Sequence, residues 1–124
     1  MKHEKPNPAR DKSFEFALEI VKVCRQIQED HKEYVLSKQL LRSGTSIGAN
    51  VEEGIGSFSD KDFHYKFSIS YKEARESHYW IRLLKESGLI SNEVADTLLI
   101  MVEEILRIIG SILKTMREKK NLGK

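Results

Sequence analysis

The chain has 124 residues, 40% of them hydrophobic, and its 21 Lys and Arg against 19 Asp and Glu leave a net charge of +2. That length suits one domain with a core that needs neither disulfides nor metals, and the small net charge excludes a uniformly basic coat for nucleic acid. The lone cysteine, Cys24, excludes an internal disulfide framework, and no apolar run approaches the roughly 18 residues of a membrane span.

The first dozen residues are polar and show no signal-peptide pattern, so a cytoplasmic protein is expected. Both prolines, Pro6 and Pro8, lie in this stretch, and a proline-free body permits long helices. Residues 1–12 are read as a mobile tail, residues 13–120 as the folded body and residues 121–124 as a frayed end. Asp11 or Ser13 is placed to cap the first helix. Phe14, Ala17, Val21 and Cys24 make one apolar stripe, and Phe16, Ile20, Val23 and Ile27 a second. Spacings of three and four predict a helix ending near Asp30, with an arc wide enough for two neighbours. Cys24 reads as a small core residue, since nothing nearby in sequence would lower its pKa.

A second helix is expected from about Glu33 to Glu53, with Gly54 as its C-cap. Leu36, Leu40, Ile47 and Val51 form its core stripe. Gly44 and Gly48, four apart, form a small face at which another helix can approach closely; each costs a helix about 1 kcal/mol relative to alanine. Arg42, Ser46, Asn50 and Glu53 form a polar face. Ser59, followed by Asp62, opens a third helix over about 60–87, closed by Gly88. Its seam, Phe63, Phe67, Ser70, Ala74, Ser77, Ile81 and Leu84, alternates four and three. Its small middle residues predict close packing against the small face of the second helix.

Ser91 or Asn92 caps a fourth helix with the seam Leu98, Val102, Ile105, Ile109, Ile112 and Met116. Further apolar rows flank it, with Leu99, Leu106 and Leu113 on one side and Met101 and Ile108 on the other. This exceeds what one core needs, so Leu99, Met101, Leu106, Ile108 and Leu113 are read as a subunit interface. Four amphipathic helices with short connections predict an all-α, up-down-up-down four-helix bundle.

The run Arg42-Ser43-Gly44-Thr45-Ser46-Ile47-Gly48-Ala49-Asn50-Val51-Glu52-Glu53-Gly54 resembles the signature of the four-helix-bundle proteins encoded within intervening sequences of 23S rRNA genes. Ser59, Asp62-Phe63 and the stretch from Lys72-Glu73-Ala74-Arg75-Glu76 to Tyr79-Trp80 resemble that family's third helix, and the likeness spans about Phe14 to Met116. The resemblance makes Arg42, Ser46, Asn50, Glu53 and Gly54 signature residues. It implies a cyclic homo-oligomer, often a pentamer. The chain is also similar to the accessory proteins of diversity-generating retroelements, basic barrels that engage nucleic acid and a reverse transcriptase, from which its net charge of +2 departs.

The third helix carries one more stripe, formed by His64, Ser68, Tyr71, Arg75, His78, Arg82 and Lys85, with Lys72, Tyr79 and Trp80 beside it. Cations interleaved with aromatics suit phosphate contact and base stacking. Tyr71, Lys72, Arg75, His78, Arg82 and Lys85 are therefore the candidate surface for RNA, DNA or a protein partner. The alternative is a solvated outer face with local ion pairs such as Lys72–Glu76. The polar face of the second helix is read as holding the bundle in register; an acid–base site would need a second group and a pocket. The Glu-x-x-His pairs of di-iron bundles are missing, as is a phosphate-binding Gly-Lys-Ser/Thr loop. No catalytic residue, metal, cofactor or small-molecule substrate is assigned. The expected protein is a non-enzymatic scaffold or nucleic-acid-binding module, with a purely structural or protein-partner oligomer as the alternative.

Overall fold

A computed structural model describes residues 5–122. It contains four helices: α1 (Pro8–His31), α2 (Val35–Ile55), α3 (Asp60–Glu86) and α4 (Asn92–Leu122). Successive helices run antiparallel. Ser13 lies against Gly48 and Gln28 bonds Ser37 between α1 and α2. Arg42 reaches Glu73 and Glu76 between α2 and α3. Lys85 meets Asp96 and His78 meets Glu103 between α3 and α4. Lys12 meets Glu104 across the closing pair, α1 and α4. Each helix therefore has two neighbours, and the result is an up-down-up-down four-helix bundle. The α2–α3 pair is the most extensive and the α1–α4 pair the sparsest.

Helix α1 starts earlier than its apolar pattern suggests. Asn7 is the N-cap, its Oδ1 accepting from the Arg10 N–H at 3.1 Å, and Pro8 occupies the first turn. A proline there is pre-set for the helix and needs no N–H partner, so the residue that looked like a tail marker begins the element. Neither Asp11 nor Ser13 caps it; the buried Ser13 hydroxyl donates to the Arg10 carbonyl. The first four residues of the expected tail and the last two of the expected frayed end lie outside the described residues. Within them, α4 continues to Leu122.

Glu33 builds the α1–α2 connection. Its carboxylate accepts from the N–H groups of Val35, Leu36 and Ser37 at 2.8–2.9 Å, satisfying donors that a helix start leaves unpaired. Burial alone would raise its pKa, but the backbone N–H groups of Leu36, Ser37 and Val35 outweigh that and hold it below the usual glutamate value.

The core is the set of seams facing one another. Phe16, Ile20, Leu40, Ile47, Val51, Ala74, Ile81, Leu84, Val102 and Ile109 are fully buried. The small α3 residues meet α2 through hydroxyls, Ser43 Oγ to Ser77 Oγ at 2.8 Å and Ser70 Oγ donating to the Ile47 carbonyl at 2.8 Å. The glycine face of α2, however, turns to α1 and not to α3. A Cβ on Gly44 would stand 2.9 Å from Ile20, and one on Gly48 would meet Ser13 at 3.4 Å. Helix periodicity groups residues on a face without saying which neighbour that face meets.

Two further expectations change. Gly54 is not a C-cap. It is a buried helical residue whose Cβ would lie 2.7 Å from the Phe67 ring, and Gly56 takes the cap position. On α1, Cys24 is buried and its thiol is pushed up to about 12, mainly by that burial. Phe14 and Val21 of the same expected stripe instead face outward, with Leu18 between them.

The C-terminal part of α4 has fewer neighbours. Ile112 and Met116 of its expected seam are only partly buried. Lys12 faces Glu104 and α1 begins at Pro8, so α4 runs on beyond the start of α1 with α3 as its companion.

Candidate functional site

The two long sides of α3 carry charge in different ways. The side facing α2 is closed by cross-helix pairs. The Arg42 guanidinium donates to Glu73 at 2.9 Å and also to Glu76. The Glu76 carboxylate additionally accepts from the Trp80 indole N–H at 2.9 Å. Lys66 meets Glu53 at 2.7 Å. The Trp80 N–H and the Arg42 guanidinium hold Glu76 below the usual glutamate range, and Glu76 in turn raises Arg42. Ser46 donates to the Arg42 carbonyl, and Asn50 to the Ser46 carbonyl. Arg42 and Glu53 thus tie α2 to α3, Ser46 and Asn50 bond within α2, and Gly54 admits Phe67. Every polar group in this set has a structural use, and Glu76 takes Arg42 and Trp80 as its partners where the sequence suggested Lys72.

The other side of α3 faces α4 and solvent, and the structure splits the candidate stripe in two. Tyr71 packs beside Gly110, His78 lies 3.0 Å from Glu103, and Lys85 donates to Asp96 at 2.8 Å. The bond to Asp96 raises the Lys85 pKa. These three belong to the α3–α4 contact. Lys72, Arg75 and Arg82 are exposed, and no hydrogen bond or ion pair engages them. Tyr79 stands among them, 50% exposed, with its ring edge-on to Trp80 at 5.0 Å. Lys72, Arg75, Tyr79 and Arg82 follow at spacings of three, four and three, which is one outer helix face. Arg107 joins this surface. It sits on α4 between Glu103, which meets His78, and Gly110, which meets Tyr71, so it lies across from the Arg75 level. Its sequence position alone carried no such signal.

The proposed interface residues of α4 are partly buried against the core: Leu99, Met101, Leu106, Ile108 and Leu113 all pack on it. Leu99 and Leu106 share a row with Asp96, Glu103 and Gly110, which face α3; Met101 and Ile108 flank Glu104, which faces α1. Two neighbours account for much of the apolar excess. More exposed are Phe14 at 60% and Leu18 at 52% on α1.

Among the described residues no group of three or more His, Cys, Asp or Glu is placed to hold a metal ion. None of the described helices is long and apolar enough to cross a membrane.

A comparison with curated proteins gives no match. Among solved structures, the chain is similar to a crystal structure from Bacteroides thetaiotaomicron described as a protein of unknown function from the S23 ribosomal protein family. The two are 42% identical over 86% of this chain and 98% of that one, with a TM-score of 0.84. Residues 6–111 match the family model described as 23S rRNA-intervening sequence protein. With the match covering most of α1 through α4, the chain belongs to the 23S rRNA-intervening sequence protein family.

Proposed function

We propose that this protein is a non-enzymatic, self-associating four-helix bundle of the cytoplasm that binds nucleic acid, structured RNA or DNA, through the outer face of α3. The observation that carries this reading is the set Lys72, Arg75 and Arg82, exposed and unpaired beside the half-exposed Tyr79. Cations already tied to carboxylates have little left to offer a phosphate; these three are available, and Arg107 adds to them across the helix pair. A cyclic homo-oligomer, with the pentamer as the family-based expectation, would repeat the same small patch several times. A modest charge per chain then becomes a multivalent surface.

The test is fluorescence anisotropy with a labelled structured RNA and a matched DNA duplex, across a salt series, on protein of measured oligomeric mass. The expected outcome is binding that weakens steeply with salt and is lost when Arg75 and Arg82 are both changed to Glu. Binding indifferent to that double change would sink the assignment to α3.

A second reading has its own support. The exposed apolar row Phe14, Leu18 and Val21 on α1 suits contact with protein, whether another copy or a different partner. Absence of nucleic-acid binding at low salt, in an oligomer of defined mass, would favour this purely structural or protein-partner role.

A further inference from the structure

The charge of α4 is divided along its length. Residues 92–104 hold four carboxylates, Glu93, Asp96, Glu103 and Glu104, and no Lys or Arg. Residues 105–120 hold Arg107, Lys114, Arg117, Lys119 and Lys120 against the single carboxylate of Glu118. Cations in the last turn complement the helix dipole, but that effect fades within one turn. It does not account for Arg107 or Lys114. A chain with a net charge of +2 thus concentrates positive charge at one end of one helix.

That end also has an opening. From Glu104 to Lys120 α4 advances about 24 Å, whereas α1 from Lys12 back to Pro8 covers only about 6 Å of it. The first turns of α3 and the last turns of α4 therefore stand together without α1 between them, and a groove of about 960 Å³ lies there. Phe63 and Met116 supply its apolar lining; Lys61, Arg117, Lys119 and Lys120 supply cations, with His64 beside them and Asp60 as the one acid. The Phe63 ring is stacked on buried Phe67, centroids 4.1 Å apart and planes 17° from parallel. Phe67 covers one face of Phe63, so the groove meets the other face or the edge of a ring that is already fixed in place.

We infer that this groove binds an unpaired segment of nucleic acid, with phosphates on Lys61, Arg117, Lys119 and Lys120 and a base against Phe63. The inference rests on the nucleic-acid reading above and adds a second, distinct site to it. Charge complementarity selects a polyanion. The apolar lining selects one that presents flat apolar faces, which unpaired bases do and a duplex, with its bases stacked inside, does not. A fixed aromatic ring costs little to order when a base stacks on it.

The experiment compares a labelled, unstructured 12-nucleotide strand with a 12-base-pair duplex in anisotropy titrations across salt, using the full chain. The strand should bind at least tenfold more tightly than the duplex at equal salt. Phe63→Leu should weaken strand binding about tenfold, leaving duplex binding and the salt slope unchanged. Lys119→Gln with Lys120→Gln, both on exposed positions, should lower the log–log salt slope for the strand by about 1.4. The second variant decides the matter even if Phe63→Leu unfolds. Equal binding of strand and duplex, or a slope unmoved by the paired glutamines, overturns the groove. If the duplex still binds and still depends on Arg75 and Arg82, the α3 reading survives that result; if neither probe binds, both fall.

Discussion

The two sides of α3 are both charged and carry an aromatic ring, and they are put to opposite uses. Toward α2, Glu73, Glu76 and Lys66 find partners in Arg42 and Glu53, and Trp80 completes the network. Away from α2, Lys72, Arg75 and Arg82 have none. What separates them is the chemistry across the way. On α2 the signature face presents Arg42 and Glu53, each opposite its counter-charge. The outer face looks onto solvent, with Arg107 its neighbour on α4. A charged helix face is therefore structural where a second helix answers it and available for a partner where none does.

The strongest way to break the closed side is to add atoms to it. Gly54→Ala gains about 1 kcal/mol of helix propensity but drives a methyl to 2.7 Å from the ring of Phe67, which is buried and stacked under Phe63. Overpacking of this kind costs about 1–3 kcal/mol. A net loss of about 1 kcal/mol, and at most about 2, is expected, read as a fall of about 5 °C in Tm. Gly48→Ala is the control, since its methyl meets Ser13 at an ordinary 3.4 Å; its Tm should hold or rise. A Gly54→Ala protein as stable as the parent would show that Phe67 can move aside and that the α2–α3 contact is looser than described.

Charge removal sharpens the same comparison with a smaller effect. Arg42 is about half exposed, 49% at its side chain, so solvent screens its pairs and they contribute about 1 kcal/mol at low salt. Arg42→Ala should lower stability by about that much in urea titrations, because Glu73 and Glu76 are left facing each other without a cation. Arg75→Ala should stay within about 0.5 kcal/mol. In 1 M NaCl the gap should shrink, since salt screens exposed pairs. Equal losses for the two variants would contradict the division of α3 into a paired and an unpaired side.

The elements themselves could be read from the sequence, and so could most of the core. The α3 seam, the cap by Ser59, the turn at Gly88 with its positive φ of 81°, and the start of α4 at Ser91 all rest on local patterns. Features set by a neighbour could not be read locally. Periodicity put Gly44 and Gly48 on one face but left open that the face meets α1. The wide arc of α1 has two edges, and only packing shows that Phe14 and Val21 lie on the outward one. Glu33 acts from outside α2, one residue before the N-cap position, where a search for Ser, Thr, Asp or Asn would not look. The candidate stripe shows the same limit at finer scale. Residues 71, 78 and 85 lie about 40–60° around the helix from their neighbours 75 and 82. That angle sends the first set to α4 and leaves the second outside. The pairing of Arg42 with Glu73 and Glu76 needed the register between two helices, which no single-helix pattern contains.

The smallest effect gives the most local test, because the chain has one tryptophan and it sits on the closed side. The Trp80 indole N–H donates to the Glu76 carboxylate, so Trp80 fluorescence should report the protonation of Glu76. With Trp80 and Arg42 both favouring the charged form, the transition should fall below the ordinary value of 4.5. A folded-state pKa below the unfolded one means that the contribution to stability is complete above the unfolded value. It is lost as pH falls through the folded one. Protonated Glu76 no longer holds Arg42 by charge, so the loosening should begin at the α2–α3 contact. Arg42→Ala removes one of the two groups that hold the carboxylate ionised and should shift the fluorescence midpoint upward, leaving the Trp80 bond as the remaining influence. Arg75→Ala lies on the other side of the same helix and should leave the midpoint where it is. A midpoint that moves with Arg75 as readily as with Arg42 would mean that Glu76 feels only the summed surface charge, and that the two sides of α3 are electrostatically one.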